Sequence, residues 1–248
     1  MPLRFLFVAL LALSVFGVIR PPMASASDFT ADQKKEIEAI IGAYLKDHPD
    51  VLIDAIQAAD DKLKADAKDK ASQALAAHRQ QVFDDPQTPV AGNPRGDVTL
   101  VEFFDYRCPY CKQVEPSLER LLGDDHQLRF VFKEFPVLGP DSDTAARVAL
   151  AAKKQGKYDA FHRAMMNTSG HIDETVIYKV AASVGVDVDQ AKRDMNSPEI
   201  DGELKANLDL GKALDLDGTP SFIVGSTIVP GAISASDLKR LIADARKK

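Results

Sequence analysis

The chain has 248 residues, of which 45% are hydrophobic and 27% are charged, the balance of an ordinary globular protein. This composition excludes a disordered chain, a collagen-like chain and a polytopic membrane protein. The formal net charge is −6 at pH 7, so the basic character typical of nucleic-acid-binding proteins is absent and no nucleic-acid partner is expected. The only cysteines are Cys108 and Cys111. A single pair of cysteines cannot form a disulfide framework for a fold of this size, so we interpret the two cysteines as chemically reactive groups.

The first 26 residues have the pattern of a secretory signal peptide. Arg4 gives a basic start, and residues 5–19 contain no charge, a run that is shorter than a membrane-spanning helix needs. Ala24 to Ala26 form an A-x-A pattern, which predicts cleavage after Ala26; an uncleaved N-terminal anchor is the alternative. We therefore expect a periplasmic protein, in a compartment where disulfides form and persist.

Residues 28–82 have the periodicity of helices. Apolar residues recur at three- and four-residue spacings from Ile37 to Leu45, and again from Leu52 to Leu63. Pro49 suits the first position of the second helix. The pattern predicts two helices, of which the second runs from Pro49 to Val82.

The length of this second helix suggests what it does. It would extend about 51 Å, whereas the domain that follows would be about 40 Å across. A narrow, alanine-rich apolar seam gains stability mainly by packing against other helices. We predict a helical stalk over residues 27–85 that forms a homo-oligomer through residues 28–82. A solvated, partly frayed linker helix is the alternative.

Beyond a linker rich in proline and glycine, the pattern becomes that of an α/β domain over residues 86–248. A strand, a helix and a second strand open it, the unit that builds parallel sheets. Gly225 and Ser226 predict a hairpin near its end. Strands are predicted over Val98–Phe104, Leu128–Phe132, Ser221–Val224 and Thr227–Val229. Helices are predicted over Cys108–Leu122, Thr144–Ala152, Tyr158–Asn167, Glu174–Val184, Pro198–Leu214 and Ser236–Arg246.

The sequence Cys108-Pro109-Tyr110-Cys111 lies where a strand ends and a helix begins. Backbone N–H groups at a helix N-terminus favour a thiolate on the first cysteine, which makes Cys108 the nucleophile. Cys111, one turn later, can resolve the mixed disulfide. A structural zinc site uses the same spacing but needs two more ligands, and an inert disulfide is a further alternative. We predict a redox pair that needs no metal and no cofactor beyond the Cys108–Cys111 disulfide itself.

Three segments carry a resemblance to a known family: residues 101–111, residues 132–136 and residues 218–222. Together they resemble the DsbA-like thioredoxin-fold thiol–disulfide oxidoreductases. The resemblance covers residues 95–248 and implies a thioredoxin fold with a helical domain inserted at about 141–215. Residues 44–52 are similar to the subgroup that includes the suppressor-of-copper-sensitivity C proteins, some of which are oligomeric disulfide isomerases.

The resemblance also implies roles for individual residues. Pro220 would be a cis-proline that faces the active-site cysteines, although an ordinary trans turn is the alternative for Thr219-Pro220 alone. Pro109, Tyr110 and Thr219 would contact the substrate. A threonine before this proline is frequent in isomerases of the family, and a tyrosine at position 110 replaces the histidine of the strongest oxidases.

Glu102 is an acidic residue inside an apolar strand. In the resembling family an acid here lies beneath the disulfide and accepts the proton of the resolving thiol. A buried carboxyl has a raised pKa that suits it to this work. The alternative is an exposed acid on a half-buried strand.

Lys133 is either the partner of Glu102 or a solvated lysine. We expect His126, His162 and His171 to be surface or helix-cap residues.

The sequence predicts a thiol–disulfide oxidoreductase whose substrates are secreted proteins that contain cysteines. A disulfide isomerase is favoured, with a membrane redox partner that keeps the pair reduced. The alternatives are a disulfide oxidase of the DsbA type, and a copper-tolerance protein in which the two thiolates of Cys108 and Cys111 hold Cu(I).

Overall fold

The computed structural model describes residues 29–247. The predicted signal peptide and its cleavage site lie outside the described residues. The chain divides into two compact units, of which the first ends at Lys62 and the second begins at Leu63. In the described part of the chain, no helix combines the length and the apolar character that crossing a membrane requires.

The described chain begins with three helices and continues with strands and helices in mixed order, including five consecutive helices from α5 to α9. The helices are α1 (Ala31–Asp47), α2 (Pro49–Ala77), α3 (Arg79–Phe83), α4 (Pro109–Asp124), α5 (Pro140–Lys154), α6 (Tyr158–Met166), α7 (Glu174–Ser183), α8 (Val188–Asp194), α9 (Pro198–Ala213) and α10 (Ala235–Arg246). The strands are β1 (Val90–Gly92), β2 (Val98–Phe104), β3 (Leu128–Glu134), β4 (Ser221–Val224) and β5 (Thr227–Pro230).

The strands described for residues 29–247 form one sheet in the order β1-β3-β2-β4-β5. The central strands β2 and β3 run parallel, and every other neighbouring pair is antiparallel. β4 and β5 form the predicted hairpin, in which Gly225 has a φ of +59° that favours glycine. The helices α5 to α9 lie between β3 and β4 in the chain. The predicted α/β fold with inserted helices is therefore confirmed.

Alternate residues of the central strands contribute to two apolar clusters, because successive side chains of a strand point to opposite faces. Leu100, Phe104 and Phe222 belong to the first cluster, which also includes residues of α4 to α10. Val101, Phe103 and Ile223 belong to the second cluster. The second cluster is completed by residues of α2, α3, β3, α9 and the loops after β3 and α9: Leu75, Val82, Phe83, Val131, Phe135, Leu210 and Leu214.

The N-terminal segment contains the helices α1, α2 and α3. α1 begins at a capping box, in which the Thr30 hydroxyl accepts from the Gln33 N–H and the Gln33 side chain accepts from the Thr30 N–H. The single helix predicted from Pro49 to Val82 is wrong, because α2 ends at Ala77 and α3 follows after His78.

The residues after this break are part of the core of the second unit. Leu75, Val82 and Phe83 lie within the predicted stalk, yet each is buried in the second apolar cluster. The compact units accordingly divide at Lys62, earlier in the chain than the predicted boundary after residue 85. The last turns of α2 and all of α3 thus stabilise the sheet domain.

Glu203 on α9 makes the stability of this domain depend on pH. It is buried, and burial raises its pKa from 4.5 to about 7, although Lys153 lies 3.7 Å away. Because the folded pKa is above the unfolded one, the folded state is favoured at low pH, and this advantage is lost as pH rises from about 4.5 through about 7. We expect wild type to lose on the order of 3 kcal/mol more than Glu203→Gln between pH 5 and 8.

Urea unfolding of the two proteins at both pH values measures this difference. Equal losses in wild type and Glu203→Gln would show that Glu203 does not titrate in this range in the folded protein.

Candidate active site

The two cysteines lie at the start of α4, beyond the end of β2. Cys108 is the N-cap residue, and Pro109 occupies the first helical turn, where its missing N–H costs no hydrogen bond. Both cysteines are free thiols and both are buried. The Cys108 sulfur lies 3.1 Å from the Thr219 carbonyl oxygen, to which it donates a hydrogen bond when it is protonated. The peptide bond between Thr219 and Pro220 is cis, as predicted.

The two thiols have opposite acidities. A hydrogen bond from the Cys111 thiol is the main cause that lowers the pKa of Cys108 from 9.0 to about 5. The side chain of Thr219 and the backbone N–H groups of Tyr110 and Cys111 lower it further, and burial opposes them. The pKa of Cys111 is raised, mainly by burial, and also by the hydrogen bond to Cys108 and the nearby Glu102 carboxylate. At neutral pH Cys108 is the thiolate and Cys111 keeps its proton.

Glu102 is fully buried in β2, between Phe132 of β3 and Phe222 of β4. Burial raises its pKa well above 4.5, and the negative charges of Glu115 and Cys108 raise it further. Neither of its carboxyl oxygens has a hydrogen-bond partner among residues 29–247. The alternative of an exposed acid is therefore wrong, and a proton acceptor beneath the cysteines stays the prediction for its role.

Lys133 is not the partner of Glu102. It is paired with Phe103 in the sheet register, one residue away from Glu102, so the two side chains point to opposite faces. It is buried and donates to the Thr88 hydroxyl at 2.7 Å and to Asp85 at 3.4 Å. The alternative of a solvated lysine is also wrong.

The substrate-side residues predicted from the sequence lie around the cysteines. Pro109 and Tyr110 are exposed on the first turn of α4. Thr219 is half-buried, and its carbonyl oxygen contacts the Cys108 thiol. The structure thus brings Cys108, Cys111 and the Thr219-Pro220 bond together, with Pro109 and Tyr110 facing solvent beside them.

Asp105 is a site residue to which the sequence analysis assigned no role. Its buried carboxylate accepts from the backbone N–H groups of Arg107, Val137 and Leu138, at 2.7 to 3.0 Å. It also accepts from the Ser142 hydroxyl at 2.8 Å. These four bonds tie the loop before Cys108 to the loop after β3. An aspartate directly after a strand, two residues before the N–H it binds, is the signal that predicts such a turn.

His162 is buried, contrary to the prediction of a surface or cap position. Its Nδ1 lies 3.2 Å from the Tyr106 hydroxyl, and its Nε2 lies 3.6 Å from Glu115. Tyr106 and Tyr158 donate to the same oxygen of Glu134, at 3.0 and 2.8 Å. This polar network lies in the first apolar cluster, and burial raises the pKa of Glu134 well above 4.5. His126 and His171 are exposed, as expected.

Over residues 29–247, no group of three or more histidine, cysteine, aspartate and glutamate side chains is arranged to hold an ion. What the site offers is a low-pKa thiolate, a protonated neighbouring thiol and a buried carboxyl, which together suit thiol–disulfide exchange.

Comparison with known proteins shows the same two-part organisation. The family described as DSBA-like thioredoxin domain matches residues 99–243, and the family described as copper resistance protein ScsC N-terminal domain matches residues 33–65. A thioredoxin-like oxidoreductase from Silicibacter pomeroyi DSS-3 is 46% identical, with a TM-score of 0.67 over 68% of this chain and 98% of that one. Proteus mirabilis ScsC in a transitional conformation is 28% identical, with a TM-score of 0.65 over 90% and 99% of the two chains.

Among curated proteins, the probable disulfide bond formation protein D of Bacillus anthracis is 28% identical over 66% of this chain and 77% of its own length. Other curated relatives are much longer, and the chain spans only 21% of the Na(+)/H(+) antiporter NhaA 3 of Salinispora tropica. The match to the DSBA-like thioredoxin domain covers more than half of the chain and includes both cysteines. The protein therefore belongs to the DsbA-like thioredoxin-domain family.

Proposed function

We propose that this protein is a periplasmic thiol–disulfide oxidoreductase that acts as a disulfide isomerase on secreted proteins. The observation that carries the proposal is the contrast between Cys108, whose pKa is lowered to about 5, and the buried Cys111, whose pKa is raised. The first is a thiolate that attacks at neutral pH. The second stays protonated, so it does not compete for the substrate.

In the reaction, the Cys108 thiolate attacks one sulfur of a substrate disulfide. A new S–S bond forms, the old one breaks, and the other substrate sulfur leaves as a thiolate. For isomerisation, a second substrate thiolate attacks the mixed disulfide and releases Cys108 unchanged. For reduction, Cys111 loses its proton and attacks the Cys108 sulfur, which yields the Cys108–Cys111 disulfide and a reduced substrate. A membrane dithiol partner then returns two electrons to the pair.

A lowered pKa of Cys108 stabilises the dithiol form of the pair in oxidases and isomerases alike, so it does not distinguish the two activities. The residue at position 110 supports the isomerase. Tyr110 offers an exposed hydroxyl where the strongest oxidases of the family carry histidine. The test is catalysed refolding of a protein with scrambled disulfides, together with thiol trapping of Cys108 and Cys111 in cells. Isomerase activity predicts a reduced pair in cells, and an oxidised pair would indicate an oxidase.

We also propose that the protein is a homo-oligomer through its N-terminal helices. α1 buries none of its residues within the described chain, and four of its apolar side chains are exposed: Ile37, Ile40, Ile41 and Tyr44. α2 adds Val51, Leu52, Ile53 and Ile56, which are also exposed. Exposed apolar side chains in this number on two helices indicate an association site. The match of residues 33–65 to the ScsC N-terminal family supports the same assignment.

Copper binding is the second candidate function, because the family matched by the N-terminal helices is described as a copper resistance protein. Cu(I) is a soft ion, and the thiolates of Cys108 and Cys111 would be its ligands. Titration of the reduced protein with Cu(I), against a Cys108→Ala control, distinguishes this role from isomerisation. Tight binding that needs both cysteines, without any catalysed refolding, would favour copper handling.

Glu102→Gln tests the proposed proton acceptor. The variant keeps the volume of the buried side chain but cannot take the Cys111 proton, so we expect resolution of the mixed disulfide to slow by about a hundredfold. Single-turnover release of a peptide from Cys108 measures this step, and the loss should vary with pH. Glu203→Gln removes another buried carboxyl and serves as the matched control. Equal rates in wild type and Glu102→Gln from pH 6 to 8 would reduce Glu102 to a structural residue.

A further inference from the structure

A pocket beside Cys108 has no part in the chemistry described so far. It has a volume of about 400 Å³ and is lined by Arg107, Pro109 and Lys112 and by the loop of residues 168–172 after α6. Arg107 and Pro109 are the two chain neighbours of Cys108, and consecutive Cα atoms are only about 3.8 Å apart. A substrate whose disulfide lies on Cys108 therefore places the residues next to its own cysteine at this pocket.

The lining of the pocket is basic. It includes the side chains of Arg107, Lys112 and His171 and no carboxylate, although the whole chain has a formal charge of −6. The overall negative charge of the protein repels anions at a distance. The positive side chains of the pocket therefore select an anionic group only when that group is in contact with them.

The two cationic side chains from the active-site segment are held in place by backbone oxygens. Arg107 Nη1 donates to the Leu138 carbonyl at 2.9 Å and lies 3.6 Å from Asp141, and a guanidinium has five N–H donors in all. Lys112 Nζ donates to the carbonyl oxygens of Met165 and Met166, at 2.6 and 3.2 Å. Burial lowers the pKa of Lys112 to about 8, so it still carries its charge at pH 7.

We propose that this pocket binds a carboxylate carried next to the substrate sulfur that Cys108 attacks. The enzyme then prefers disulfides whose cysteines have an acidic neighbour over those with a neutral or basic one. The inference rests on the proposed thiol–disulfide exchange and adds to it the substrate class. The carboxylate could belong to a protein side chain or to a small thiol compound such as glutathione.

The experiment measures kcat/KM for three disulfide peptides that differ only in glutamate, glutamine or lysine beside the cysteine. We expect wild type to prefer the glutamate peptide over the lysine peptide, and His171→Glu to lower this ratio by about threefold to tenfold. Arg107→Gln should lower it in the same direction. His126→Glu is the matched control, since His126 is exposed and precedes β3, at the end of the sheet away from Cys108.

A second arm compares glutathione disulfide with the cationic cystamine and the neutral bis(2-hydroxyethyl) disulfide. A preference for glutathione disulfide that His171→Glu weakens shows that a carboxylate is sufficient, and a preference confined to the peptides assigns the pocket to polypeptide substrates. Equal rates for all three peptides in wild type, or an unchanged ratio in His171→Glu, would overturn the inference while leaving the exchange reaction intact. Failure to exchange with any of the disulfides would instead contradict the proposed function.

Discussion

Replacement of Cys108 by alanine is expected to lower reductase and isomerase activity by at least about a thousandfold, because the only low-pKa thiolate of the chain is lost. Cys111→Ala should instead retain the first attack and accumulate mixed disulfides between Cys108 and substrate. Non-reducing electrophoresis and mass spectrometry of the trapped species measure this difference. The double variant is the control, since it should trap nothing.

The assignment of the two roles also predicts how the thiols react with an alkylating reagent. At pH 6, above the pKa of about 5, Cys108 should be labelled fast, whereas Cys111 stays protonated and fully buried. The rate for Cys108 should fall as pH drops through about 5. Faster labelling of Cys111 than of Cys108 at pH 6 would reverse the roles proposed here.

Much of the active site could be predicted from the sequence because its signals are local. Cys108, Pro109 and Cys111 fall within one helical turn, and the end of β2 directly before them is marked by an apolar run. The strand positions of Glu102 and Phe104 follow from the same run. Thr219 and Pro220 are far away in the sequence, and only the family resemblance connected them to the cysteines.

The residues that were placed wrongly depend on contacts between distant parts of the chain. Lys133 is paired with Asp85 and Thr88, which precede it by 48 and 45 residues. His162 contacts Tyr106, 56 residues earlier. The sequence around a lysine or a histidine is the same whether or not such a distant partner exists. The burial of Lys133 and His162 could therefore not be predicted.

Short elements were missed for a related reason. β1 has three residues and exists through its pairing with β3, where Val90 is opposite Val131. α8 has seven residues, too few for an apolar periodicity. Its start was still detectable, because the Asp187 side chain accepts from the Gln190 N–H, the pattern of an N-cap aspartate.

A truncation that tests the predicted oligomer must leave the core of the second unit intact. Truncation before Asp84, the natural choice from the predicted stalk, would remove Leu75, Val82 and Phe83 from the second apolar cluster and destabilise the domain. Removal of the residues up to Lys62 leaves that cluster whole, because the second compact unit begins at Leu63. Substitution of exposed apolar residues is milder still, since it leaves the length of the chain unchanged.

We therefore expect Ile40→Glu combined with Ile56→Glu to convert an oligomer into a monomer. Both side chains are more than half exposed, at 62% and 61%, so glutamate costs little in the isolated chain but opposes burial between copies. The monomer should keep reductase activity, which needs one cysteine pair, and lose isomerase activity, which benefits from several pairs holding one substrate. Lys35→Glu, two residues before Ile37 and thus on the opposite side of α1, is the control. Sedimentation equilibrium decides the matter: a wild-type monomer at micromolar concentration contradicts the oligomer, and a monomeric variant with full isomerase activity contradicts its role.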